Sequence, residues 1–202
     1  MQRAFDQFKD NMKYVKELDT LFLYLKETLH LPNDLTDLLR AEWVYSVSAL
    51  DKLIHELIRI GMIEAFQGRR IRTSKFSSFG VKTDTLTSAL TLTIPPPEYF
   101  FEQEIIERHK TNAFQAPEKI ADALSLIWDE QYKWQKLSNS LGITQGDLTT
   151  TLKTIISRRN QIVHESDLDL ISGARNSISK SEIDDVVLFI EKLSEEIFNV
   201  VK

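Results

Sequence analysis

The chain has 202 residues, 42% of them hydrophobic and 27% charged, with a formal net charge of -5 and no cysteine. This is the composition of an ordinary globular domain long enough to bury a full core, and it excludes disulfide frameworks and thiolate metal sites. The negative balance also excludes a polycation that coats nucleic acid, so any contact with RNA has to be local.

The chain opens Met1-Gln2-Arg3-Ala4-Phe5-Asp6, charged and amphipathic, unlike a signal peptide. No apolar run approaches the roughly 20 residues of a membrane span, so no membrane contact is expected and a cytoplasmic protein is the plain expectation. Residues 3–29 space Phe5, Phe8, Met12, Val15, Leu18, Phe22 and Leu25 by three and four, the pattern of an amphipathic helix. Pro32-Asn33-Asp34 breaks it. A second long helix is expected over 35–62, with Leu39, Trp43, Val47, Leu50, Ile54, Leu57 and Ile58 on one broad face. Two long helices joined by a short turn should pack antiparallel.

Periodicity fails over 67–97, where Ser and Thr crowd, Gly68 and Gly80 interrupt, and Pro95-Pro96-Pro97 closes the stretch. It reads as an irregular insertion with one short helix around 83–90 and a weak strand signal at 90–94. Its opening, Arg69-Arg70-Ile71-Arg72 with Lys75, Phe76 and Phe79, is the densest basic run in the chain. Arg69, Arg70, Arg72 and Lys75 are candidate RNA-backbone contacts, with an aromatic to stack a base. The plainer alternative is a solvated loop whose Phe residues tuck onto the core.

Helical spacing returns at 98–110, restarts at Pro117 with Ile120, Ala121, Leu124 and Ile127, and continues as a short 128–141 helix stopped by Gly142. Thr144 with Asp147 resembles a cap for a helix over about 146–166. A polar connector, 166–177, leads to a last helix capped by Ser179 or Ser181 and carrying Ile183, Val186, Val187, Ile190, Leu193 and Ile197. The expected fold is all-α, one domain over 1–202, a helical bundle with an irregular Ser/Thr-rich insertion.

The helix over 146–166 carries an unusual feature. Leu148, Leu152, Ile155, Ile156, Ile162 and Val163 form its apolar stripe, and Arg159 falls within about 60° of every member. Burying an unpaired guanidinium is costly, so Arg159 must meet a carboxylate, a phosphate or a subunit interface. His164 lies about 140° around the helix from Arg159, and only about 40° from Asn160. Without further information, Arg159 pairs with a core carboxylate and His164 caps helix-end carbonyls.

Arg159-Asn160-Gln161-Ile162-Val163-His164 resembles the ribonuclease motif of HEPN domains, an Arg and a His with a gap of about four to six residues and a polar residue straight after the Arg. Here the gap is four and the polar residue is Asn. Ser48-Ala49-Leu50-Asp51 to His55-Glu56-Leu57, and Phe114-Gln115-Ala116-Pro117-Glu118-Lys119-Ile120, resemble the RiboL-PSP group of HEPN proteins. The resemblance implies a HEPN-like bundle and an endoribonuclease that needs neither metal nor cofactor. It further implies a homodimer whose two motifs face each other across the symmetry axis, and a role in toxin–antitoxin or antiphage defence, with a cognate antitoxin or regulatory protein as a second partner. Arg159, Asn160 and His164 are then the candidate catalytic residues and Arg158 an RNA-contacting neighbour.

The chemistry suits these residue types. A His can exchange the proton of the attacking 2′-hydroxyl or the leaving oxygen, and a planar, permanently charged Arg can hold phosphate and stabilise developing charge. The alternative is a catalytically silent HEPN-type module that docks a partner protein or nucleic acid. Of the other histidines, His55 lies in a polar row with Asp51 and Arg59, His30 is expected as a helix-end cap, and His109 as a solvated side chain beside Arg108 and Lys110. Metal-ligand spacings such as His-Glu-x-x-His, phosphate-binding Gly-rich loops and Gly-x-Ser-x-Gly elbows are missing.

Overall fold

Apolar positions on several sides of one helix make it the centre of a bundle, and α2 (Thr36–Phe66) has that pattern. In the computed structural model Val47, Leu50, Ile54, Leu57, Ile58 and Met62 on this helix are wholly shielded from solvent. At 1.5 Å per residue its 31 residues span about 46 Å. The structure describes residues 1–169 and 171–202; Leu170, within the expected polar connector, lies outside the described residues.

Expected as one helix over 3–29, the first element is α1 (Gln2–Leu23) closed by a single π turn, Tyr24–Thr28. The amino group of Met1 lies 3.7 Å from Glu64, so α1 begins beside the end of α2 and runs antiparallel to it, as expected. The second helix outruns its expected end at 62 because Gly61 does not break it. A Cβ there would meet Ile127 Cγ2 at 2.7 Å, so the glycine serves close approach of the chain around Ile127.

The 67–97 stretch holds one helical turn, α3 (Ser74–Ser77), capped by the Thr73 hydroxyl, and α4 (Thr83–Thr91). Leu90 and Thr91 belong to α4, so the weak strand signal at 90–94 yields no strand; among the described residues the only β pairing is an isolated bridge between Leu168 and Arg175. The later elements are α5 (Pro97–His109), α6 (Pro117–Leu124), α7 (Lys133–Leu141), α8 (Gln145–His164) and α9 (Lys180–Val201). The helix expected over 128–141 starts late: Trp128 sits in the preceding turn, with Lys133 and Lys136 each 5.6 Å from its ring centre.

Thr144 caps α8 by accepting the Asp147 N–H at 3.0 Å, and Ser179 with Glu182 forms a full capping box on α9. The last helix closes the core against the first: the Phe5 and Phe198 rings stack at 4.4 Å, and Lys16 pairs with Glu191. The expected all-α bundle is the observed fold.

Candidate functional site

The end of α8 that carries the Arg-Asn-His motif lies against the beginning of α2. Trp43 on α2 donates its indole N–H to the carbonyl of Ile155 at 2.9 Å. In an α-helix that carbonyl also accepts the N–H of residue 159, so Trp43 braces the turn from which Arg159 projects.

The two adjacent arginines meet different fates. Arg158 turns inward, with Nη2 3.0 Å from Asp167 Oδ2 and 2.9 Å from the Ser177 carbonyl. Arg40 on α2 reaches the same Asp167 oxygen through Nε at 2.7 Å, and bonds the Asn176 carbonyl and the Thr36 hydroxyl. Asp167 itself is fully buried. Arg158, expected at RNA, is therefore engaged within the chain, because a buried carboxylate requires cationic partners.

Arg159 is left without a carboxylate among the described residues. Its Nη1 donates to Asn160 Oδ1 at 3.1 Å, while its Nε is sealed from solvent with no acceptor. Of the three partners that its place on the apolar stripe left open, a core carboxylate is absent among the described residues. His164 is the last residue of α8 and is exposed, as are Asn160 and the apolar Val163. The structure thus brings Arg159, Asn160 and His164 into the final turns of one helix, where Val163 is also exposed.

The basic run is elsewhere. Arg70 pairs with Glu64 at 3.0 Å and donates to the Val201 carbonyl at 2.8 Å. Arg40 and Glu64 are 24 positions apart on α2, a rise of about 36 Å. The arm and the motif therefore sit toward opposite ends of α2. Arg72 donates to the carbonyls of Ala65 and Phe66, Lys75 pairs with Asp122, and Arg69 bonds Gln67. Helix C-termini leave carbonyls without N–H partners, and the guanidiniums of Arg70 and Arg72 fill that need at the ends of α9 and α2. Phe76 and Phe79 pack edge-on to Phe101 at 5.9 and 6.0 Å. Phe76 and Phe79 thus tuck onto the core, as in the plainer alternative, while Arg69 and Arg72 stay exposed and Arg70 and Lys75 are half-buried in ion pairs; the basic run does not join the motif.

The two segments that resemble the RiboL-PSP group meet each other. Phe114 donates its backbone N–H to Asp51 at 2.6 Å, and His55 lies on the Phe114 ring at 4.5 Å with Nε2 3.1 Å from the Asn112 carbonyl. They fasten the loop after α5 to α2. His109, expected to be solvated, is half-buried between Phe79 and Phe114; burial and the neighbouring His55 push its pKa below the ordinary imidazole value.

Sequence reading missed Arg40 and Asp167. Arg40 stands about 60° from Trp43 on the apolar face of α2, the same anomaly that singled out Arg159. Asp167 gave no such signal inside a polar connector. Among the described residues no three His, Asp or Glu side chains group to hold a metal ion, and no helix is long and apolar enough to cross a membrane.

A family model described as RiboL-PSP-HEPN matches residues 9–202. No curated protein and no solved structure matches the chain.

Proposed function

The chain belongs to the RiboL-PSP-HEPN family, and from that premise we propose that it is an endoribonuclease acting through Arg159, Asn160 and His164. The observation that carries this reading is the state of Arg159: a permanently charged side chain with a sealed, unpartnered Nε, one residue before Asn160 and five before an exposed His164. A guanidinium held without a carboxylate is suited to receive a phosphate.

In the proposed reaction a 2′-hydroxyl attacks the adjacent phosphorus, and the products carry a 2′,3′-cyclic phosphate and a 5′-hydroxyl. His164 exchanges the proton and Arg159 stabilises the charge that builds on the phosphate oxygens. Asn160 holds Arg159 through its side-chain oxygen and leaves its amide for a phosphate oxygen. The route needs no metal. One motif supplies one imidazole, whereas two motifs facing across a two-fold axis divide the base and acid roles. A homodimer closing over the exposed end of α8, Val163 included, would bring them together. Activity of this kind calls for restraint, so a toxin or antiphage effector held by a partner protein is the proposed setting.

The test is RNA cleavage by purified protein in EDTA, with wild type, Arg159→Ala and His164→Ala side by side, and with growth and RNA integrity followed on expression. RNA left intact by the wild type would instead support a silent module that docks a partner.

A further inference from the structure

His164 is the last residue of α8, and helix ends fray because their final carbonyls lack intrahelical N–H partners. A catalytic group placed there needs something outside the helix to fix it. Here the chain folds straight back. The N–H groups of Glu165 and Asp167 both donate to the Gln161 carbonyl, at 2.9 and 3.0 Å. Ser166 and Asp167 adopt left-handed backbone conformations, φ 55° and 58°, uncommon for non-glycine residues, though Asp enters them more readily than most.

Asp167 anchors that turn. Its buried carboxylate takes Arg40 from α2, Arg158 from α8 and, at 3.4 Å, the Asn176 amide. Its carbonyl accepts both the backbone N–H of Asn176 at 2.9 Å and the Asn176 side chain at 3.1 Å. One residue thus ties the end of α8 to the start of α2 and to the far end of the connector.

We propose that Asp167, three residues past His164, is the positioning residue of the site. It locks the last turn of α8 so that His164 keeps a fixed relation to Arg159, and it draws Arg158 inward so that Arg159 alone faces the substrate. This rests on the ribonuclease reading, with His164 as the catalytic residue.

The test is Asp167→Asn, which keeps the shape and the tolerance for left-handed backbone but removes the charge. Expected is a loss of about 10- to 100-fold in kcat without a rise in KM, the scale of a small misplacement of a reacting group. In NMR the His164 imidazole resonance should shift and the amides of 161–165 should exchange faster. The resonances of His55 and His109, toward the other end of α2, should stay in place. Where Asp167→Asn does not fold, Arg158→Gln removes one of the two guanidinium contacts and should give the same pattern more weakly. An unchanged kcat, a lost kcat with an unmoved His164 resonance, or a shift of all three histidines together overturns the proposal. Failure of the ribonuclease reading shows separately, as His164→Ala that cuts RNA like the wild type.

Discussion

Trp43 and Ile155 are joined by an indole-to-carbonyl hydrogen bond of 2.9 Å, and through it the central helix grips the backbone of the motif helix one turn before Arg159. The carbonyl keeps its helical partner and uses its second lone pair for Trp43. The contact therefore links core packing to the placement of a charged group.

Trp43→Phe keeps most of the buried ring and removes that bond. It should cost about 1–3 kcal/mol in chemical denaturation, the range for a lost buried hydrogen bond together with lost packing. It should also lower RNA cleavage more than a core substitution of equal cost at Phe8, which is remote from α8. Equal losses would mean that Trp43 acts by stability alone.

Arg159 should show opposite effects on stability and activity. Arg159→Met replaces a buried, unpartnered Nε with a polarisable apolar chain on an apolar stripe, so the melting temperature should rise or hold. Cleavage in EDTA should fall by about 10²-fold or more, as it should in His164→Ala. Cleavage that requires a divalent metal, or that survives both substitutions, would remove the assignment.

Glu42 gives a pH dependence with a definite sign. It is 1% exposed on α2, one of its oxygens has no partner, and its pKa is pushed up to about 7 from 4.5 by burial and by Asp19 and Asp184, with Lys180 opposing. The folded carboxyl binds its proton more tightly than the unfolded one. Its contribution is therefore whole below about pH 4.5 and is lost as pH rises through about 7, by roughly 2–3 kcal/mol. Urea melts at pH 5, 6, 7 and 8 should show that decline, and Glu42→Gln should flatten it.

The arm should matter to the fold more than to RNA. Arg70→Ala leaves Glu64 with only the Met1 amino group and the Val201 carbonyl without its guanidinium, and should cost about 1–3 kcal/mol. Its effect on RNA affinity and on the salt dependence of binding should be negligible. A flatter salt slope in Arg69→Ala, Arg70→Ala or Arg72→Ala would return the arm to the RNA interface.

A shared site makes mixing experiments decisive. An excess of His164→Ala protomers added to wild type should depress activity beyond dilution if both motifs form one cleft. Heterodimers that keep half the activity, or a monomer that sediments alone and remains fully active, would count against it.

Much of this protein is written in local sequence. The three-and-four spacing of Phe5, Phe8, Met12 and Val15, the Thr144 and Ser179 caps and the stop at Gly142 are read from a few neighbouring residues, so the helices follow from short-range chemistry. The motif was legible for the same reason, since Arg159, Asn160 and His164 share one helix and an arginine on an apolar stripe announces itself. The partners of the cations were not legible. Arg158 and Arg159 are neighbours of one type, and only the fold, which carries Asp167 back beneath the helix end, commits one inward and leaves the other unpaired. Likewise the basic run at Arg69–Arg72 reads as a phosphate grip until α9 ends beside it and claims Arg70 for the Val201 carbonyl. Helix periodicity is set within a turn or two of chain, whereas the destination of a long charged side chain depends on what the fold brings beside it, from Asp167 returning under Arg158 to Val201, 131 positions beyond Arg70.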